Sequence, residues 1–204
     1  LCVDMSTIAP EATRRIGARL AEHDIAFVDA PVSGSSPRAE AGTLTIMPGG
    51  DAGDVERARL LFEAMGERIV HVGPLGHGQV VKLVNNAVAA VNAVVVAEAL
   101  VYGRRAGVDL DALVEVMGSG SGASTMLEIK ARKMIEHDYE TLFKLEHMLK
   151  DVRLCIEEGQ AVGAPFSFAG LARELYTAAA ARGHGGDDFA AVLEAVEGLA
   201  GTRL

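Results

Sequence analysis

The sequence predicts an α/β segment followed by an all-α domain. The first part, residues 1–75, reads as half of a doubly wound parallel sheet, and residues 76–204 read as helices only. Two observations carry this division. Short apolar runs alternate with helical stretches up to about residue 75, and no convincing strand follows Gly78. A third observation places the junction. An apolar run from Val80 to Val101, entered through Lys82, Asn85 and Asn86, predicts a long buried helix that leads into the helical domain.

Taken in order, Leu1-Cys2-Val3 runs into Asp4-Met5-Ser6-Thr7, the pattern of a strand end followed by a loop. Pro10 suits the first position of a helix over residues 11–23, with Ala12, Ile16 and Leu20 on one face. Residues 25–28 form a short strand ending at Asp29, and a loop of small residues continues from Asp29 to Gly42. Residues 43–47 form the next strand, closed by Pro48-Gly49-Gly50. Asp51 caps a helix to about Met65, with Gly66 as its stop, and residues 69–72 make a third strand. Three strands and a stub are too few for a complete sheet.

The long helix runs to about Arg105, with Gly107 marking its end. Asp109 caps a short helix through Met117, and Gly118-Ser-Gly-Ser-Gly122 reads as a flexible break. Helices follow over residues 124–136 and 143–158, the second ended by Gly159. Pro165 introduces a helix through Ala181. Asp188 caps the last one, whose inner face carries Phe189, Val192, Leu193 and Val196.

Composition narrows the partners. Half of the 204 residues are hydrophobic, and the formal net charge is −9. An acidic balance disfavours nucleic acid or an anionic membrane surface as a partner. Asn85, Asn86, Asn92 and Glu98 break the long apolar run into pieces shorter than the roughly 18 residues that argue for a membrane span. Cys2 and Cys155 are isolated and no secretory leader is visible, so a reducing cytoplasmic setting is expected. The histidines show no metal-ligand spacing. His184, Asp187 and Asp188 read as a loop and a helix cap, so no metal site is expected.

Lys82 and Asn86 stand four residues apart and share a helix face, with Asn85 beside them. A lysine entering a buried helix either snorkels to solvent or serves as a proton donor whose pKa burial has lowered. The loop with Ser33, Gly34 and Ser35 reads either as an ordinary crossover loop or as a ligand loop, since it lies beyond a strand's carboxyl end, where open α/β sheets place ligands, and small residues can present amides to an anion. Ser6 and Thr7 follow the preceding strand in the same way. Lys150 and Asp151 sit mid-helix beside the apolar stripe Leu145, Met148, Leu149 and Val152, where a solvated charge pair is the plain alternative.

In this order the motifs resemble the β-hydroxyacid dehydrogenase family, which includes 3-hydroxyisobutyrate dehydrogenase and tartronate semialdehyde reductase. Asp4-Met5-Ser6-Thr7 is similar to the family segment that touches the cofactor. Asp29-Ala-Pro-Val-Ser33-Gly34, with Gly42-Thr-Leu, is similar to the substrate-binding signature. Gly78-x-x-x-Lys82-x-x-Asn85-Asn86 is similar to the catalytic signature, and Lys150-Asp151 to a later pair near cofactor and substrate. The resemblance implies the C-terminal half of a Rossmann-type doubly wound sheet, then a helical domain entered by a long interdomain helix. It implies NAD or NADP as cofactor and a small carboxylate-bearing substrate. Ser33, Gly34, Ser35 and Asn85 would bind the substrate, Lys82 and Asn86 would act in catalysis, and Ser6, Thr7, Lys150 and Asp151 would line the cofactor. A homodimer or homotetramer is implied as well.

Two departures stand out. Many members read Ser-Gly-Gly where this chain has Ser33-Gly34-Ser35-Ser36, which is similar to relatives that reduce glyoxylate or succinic semialdehyde. No strand–G-x-G-x-x-G–helix element matches, so roughly ninety residues of the family pattern are expected to be missing. The implied reaction is hydride transfer between nicotinamide and a small 3-hydroxy acid or its semialdehyde, of the 3-hydroxyisobutyrate, tartronate semialdehyde or succinic semialdehyde type. The truncated chain alone is expected to be inactive. The alternative is a non-enzymatic helical oligomerisation module derived from that family.

Overall fold

The computed structural model describes residues 1–204, which divide into two units: Leu1–Asn85 with Glu157–Ala164, and Asn86–Ile156 with Pro165–Leu204. In the first unit, β1 (Cys2–Asp4) pairs in parallel with β2 (Phe27–Asp29) through the crossover helix α1 (Pro10–Ala21). Pro10 occupies the helix start, as expected. The inner face is not the one that apolar spacing indicated. Pro10, Thr13 and Gly17 are buried and Ile16 is exposed. Gly17 sets this face, because a Cβ there would collide with the Leu75 side chain. Small residues let the helix come close, and hydrophobicity alone does not register that.

The segment expected as a loop after Asp29 is instead ordered. It contains β3 (Val32–Ser33) and the short helix α2 (Ser35–Glu40), entered through the left-handed Gly34 and Ser35. β4 (Leu44–Ile46) pairs antiparallel with β3 and parallel with β5 (Gly66–Ile69). Reciprocal hydrogen bonds between Asp29 and Gly49 (2.7 and 3.0 Å) join the two sheets in antiparallel fashion. The sheet is therefore mixed and not uniformly parallel. Residues 29–33 run in one register against 45–49, and the chain turns back through α2, since an antiparallel pair needs no long crossover.

Asp51 caps as predicted, accepting the Gly53 N–H at 2.8 Å. The helix it opens breaks into α3 (Ala52–Arg57) and α4 (Arg59–Glu63). Gly66 is the first residue of β5, at the irregularity between Leu44 and Thr45, and does not stop a helix. The third strand thus starts earlier than residue 69. Its pairing continues beyond Ile69 through Val70 and Val72 N–H bonds to Ile46 and Pro48 carbonyls. Val28, Ala30, Leu44, Ile46, Val55, Ala58 and Phe62 form the core beneath this sheet.

Helix α5 (His77–Arg105) runs through 29 residues and leads from the first unit into the second. It is long and apolar enough to cross a membrane, yet half of its most apolar window is buried inside the fold. The other face departs from the fully buried helix expected. Val81, Val84, Val88, Val95 and Tyr102 are exposed along it, mostly seven residues apart.

The second unit continues with α6 (Leu110–Ser119), capped by Asp109, and α7 (Thr125–Glu136), capped by Ser124. α8 (Leu145–Ala161) passes through Gly159 without stopping there. Then come α9 (Ser167–Ala181), two 3-10 turns (His184–Gly186 and Phe189–Val192) and α10 (Leu193–Ala200). Phe189, Val192, Leu193 and Val196 are buried as predicted. At the centre Lys130 is buried against Asp188 (2.6 Å) and lies 4.2 Å from the Phe189 ring centroid. Burial holds the Lys130 pKa below its ordinary value despite that partner.

Candidate active site

In the first unit the site grows from one buried carboxylate. Asp29 ends β2, and its two oxygens accept the backbone N–H of Gly76 (2.7 Å) and of Gln79 (2.9 Å). These groups belong to the start of α5, where N–H groups lack intrahelical partners and carry partial positive charge. Burial raises the Asp29 pKa; the two backbone hydrogen bonds and nearby His77 oppose that shift without cancelling it. The approach is close enough to require glycine at Gly78. A Cβ there would stand 2.7 Å from Asp29 Oδ2 and also strike the Met47 carbonyl. Asp29 thereby fixes the first turn of α5 onto the strand end.

One turn later α5 carries Lys82, which is 7% exposed. Asn85 points to the exposed side and Asn86 to the buried side of the same helix. The Gln79 side chain ties the loop after β1 to the same first turn. Its Nε2 donates to the Ser6 carbonyl (2.8 Å) and its Oε1 accepts the Ile8 N–H (3.1 Å). The Ser6 N–H is held by Asp4 Oδ1 at 3.0 Å. Ser6 and Thr7 are thus fixed to the helix that bears Lys82. Ser33 ends β3, paired with Thr45, and Gly34 and Ser35 form the turn into α2, apart from this hydrogen-bond network.

In the second unit Asp151 joins the two other members. Asn86 Nδ2 donates to Asp151 Oδ2 (2.6 Å), and Lys150 Nζ lies 2.7 Å from Asp151 Oδ1. Asp151 is buried, so the solvated-pair alternative does not hold for it, whereas the Lys150 side chain is 46% exposed. Asp151 fixes the Asn86 amide in one orientation. Lys150 keeps a surface from which a cation can meet an anionic ligand.

Sequence reasoning named Asp29 only as the first residue of the substrate-binding signature, at a strand end and with no role of its own, and passed over Gln79. Gln79 gave no signal, because its partners lie 71 and 73 residues away. The fold also gathers His137, Glu194 and Glu197 within 4.8 Å, a grouping that histidine spacing conceals. Glu197 lies 3.1 Å from His137 Nε2 and accepts the Leu204 N–H, and Arg203 stands 3.6 Å from Glu194. These contacts tie the chain end to α10.

In the first unit the pinned Ser6–Thr7 turn lies beyond a strand's carboxyl end, where open α/β sheets place ligands, and its donors fit a dinucleotide. No G-x-G-x-x-G turn occurs in these 204 residues, so contacts of that kind to a pyrophosphate are not among them.

Residues 1–73 match the model of the NAD-binding domain of 6-phosphogluconate dehydrogenase, and residues 76–196 match that described as NAD-binding of NADP-dependent 3-hydroxyisobutyrate dehydrogenase. The chain is 36% identical to 2-(hydroxymethyl)glutarate dehydrogenase of Eubacterium barkeri, over 99% of this chain and 67% of that protein. It is 40% identical to the NAD-dependent L-serine dehydrogenase of Pseudomonas aeruginosa, over 94% of this chain and 67% of that protein. Identity to the 2-hydroxy-3-oxopropionate reductase of Escherichia coli is 35%, covering 99% and 69%. Among solved structures, Mycobacterium tuberculosis 3-hydroxyisobutyrate dehydrogenase with L-serine superposes with a TM-score of 0.88 at 32% identity, over 95% of this chain and 69% of that one. The chain spans about two thirds of the length of these relatives.

Proposed function

This chain belongs to the β-hydroxyacid dehydrogenase family, whose members are NAD(P)-dependent oxidoreductases, and we propose that it handles the carbonyl in hydride transfer on a small 3-hydroxy acid or the matching semialdehyde. The observation that carries this reading is Lys82, buried one turn into a helix whose start is clamped by Asp29 and Gln79. The names of three relatives favour the substrate class. 2-(Hydroxymethyl)glutarate, L-serine and 2-hydroxy-3-oxopropionate all carry an alcohol or aldehyde carbon attached to the carbon that bears the carboxylate.

Nicotinamide supplies or accepts the hydride. In the reduction direction Lys82 gives its proton to the carbonyl oxygen, and its charge stabilises the developing alkoxide. In oxidation the neutral amine takes the alcohol proton. Asn86, oriented by Asp151, hydrogen-bonds the same oxygen. Ser33 and the amides of Gly34 and Ser35 hold the carboxylate, Asn85 contributes to substrate binding, and Lys150 approaches the cofactor's anionic part. The exposed stripe Val81, Val84, Val88, Val95 and Tyr102 supports self-association into a dimer or tetramer, because seven-residue apolar spacing suits a second copy of the same helix.

The test is oxidation of a panel of 3-hydroxy acids differing at carbon 2, with NAD and with NADP, by the protein that carries this chain. The carboxamide analogues serve as controls. Turnover of the acids, with the amides at least about tenfold poorer, is expected from loss of a charged hydrogen-bond partner. Equal turnover of acids and amides overturns the substrate class. Light scattering that finds only monomers overturns the self-association.

A further inference from the structure

We propose that Gln79 is a positioning residue for the nicotinamide cofactor, holding the Ser6–Ile8 loop in its binding path. The assignment rests on the functional reading above, in which Ser6 and Thr7 meet the cofactor. Gln79 has no exposed surface. Its side-chain amide grips the backbone on either side of Thr7: Nε2 donates to the Ser6 carbonyl at 2.8 Å, and Oε1 accepts the Ile8 N–H at 3.1 Å. The orientation of the amide is unambiguous, since a carbonyl only accepts and a backbone N–H only donates. The Gln79 backbone N–H is itself anchored on Asp29 Oδ2. One residue therefore sets the main-chain path of the loop relative to the helix turn that carries Lys82.

The chemistry demands an amide here. A donor and an acceptor must act together on two groups of the same short loop. A carboxylate offers acceptors only and would face the Ser6 carbonyl with like polarity. A loop fixed in advance spares the ligand the cost of ordering it. Loss of the clamp accordingly weakens cofactor binding without removing any group that touches the reacting atoms.

The experiment compares Gln79→Met and Gln79→Glu with the wild-type protein that carries this chain. Three quantities are read: hydrogen exchange of the Ile8 amide without cofactor, NAD(H) and NADP(H) affinity by titration, and kcat against KM. Gln79→Met keeps the length of the side chain and loses both bonds. The expected result is faster Ile8 exchange, about tenfold weaker nucleotide binding and a smaller change in kcat. Gln79→Glu is expected to match Gln79→Met at about pH 8, and to recover toward wild type at about pH 5.5, where a buried carboxyl regains its proton and with it a donor for Ser6. A merely structural side chain predicts no such pH-dependent rescue. Equal nucleotide affinity in wild type and Gln79→Met overturns the assignment, as does a Gln79→Glu variant that fails to recover at acid pH. Wild-type protein that binds neither nucleotide overturns the functional reading and this assignment with it, and is distinguished by the wild-type titration alone.

Discussion

Asp29 and Asp188, one in each unit, are both fully buried, and each gathers backbone N–H groups at the start of a helical segment. Asp188 accepts from Leu142, Phe143 and Ala190 N–H and from Lys130 Nζ. Its charge is met by a buried cation, and that cation is also covered by Phe189. Asp29 takes its two side-chain hydrogen bonds from the backbone at the start of α5. The first arrangement is a structural tie whose charges are committed to each other. The second orients the helix turn that carries Lys82. A buried carboxylate can thus serve as an ion-pair anchor or as a clamp on a helix start, and its partners decide which.

The comparison is most exposed at Lys130. Replacing it with methionine leaves Asp188 buried without its cation, and stability is expected to fall by roughly 3–5 kcal/mol in denaturant unfolding. The turnover of molecules that remain folded is expected to hold. A loss below about 1 kcal/mol would remove the contrast, because a committed ion pair cannot be deleted so cheaply.

Lys82→Ala should behave in the opposite way. Turnover is expected to drop by at least about two orders of magnitude, the low end of general acid–base effects. Nucleotide affinity and unfolding free energy should change little beside the Lys130 variant. Near-normal steady-state kinetics would return Lys82 to a snorkelling side chain.

Ser33→Ala is expected to raise KM for carboxylate substrates by the equivalent of roughly 1.5–3 kcal/mol, the usual worth of a hydrogen bond to a charged group. An equal rise for an analogue without the carboxylate would sink this role for Ser33.

The smallest effect concerns pH. The Asp29 carboxyl binds its proton more tightly in the folded chain than in the unfolded one, because burial raises its pKa. Between the ordinary value of 3.8 and the raised one, the native state holds more protons, so stability falls as pH rises through that window. Asp29→Asn removes the titration. Its unfolding free energy, measured against pH beside wild type, should lack that part of the decline. Parallel curves would show that Asp29 is not the titrating group.

What could be read without the fold was local. Asp51 and Asp109 cap helices through N–H groups two and three residues ahead, so identity and spacing were enough. The stripe Leu145, Met148, Leu149 and Val152 repeats with helical period and is buried. The motif order likewise made the family legible. The face of α1 was misread because Gly17 earns its place by closeness to Leu75, not by hydrophobicity. The helix α2, the mixed sheet and the exposed side of α5 escaped for a related reason. Each depends on what another segment leaves room for.

The sequence by itself determined the order of the longer helices, the caps at Asp51 and Asp109, and the residue types at Ser33, Lys82, Asn86 and Lys150. Tertiary structure decided which of them are held and by what. The Asn86–Asp151 bond spans 65 residues, the Lys130–Asp188 pair 58, and the Asp29 and Gln79 contacts 47 to 73. No periodicity reaches that far. Such pairs form because burial makes an unpartnered polar group costly, and the packed chain brings the one available partner within hydrogen-bond distance.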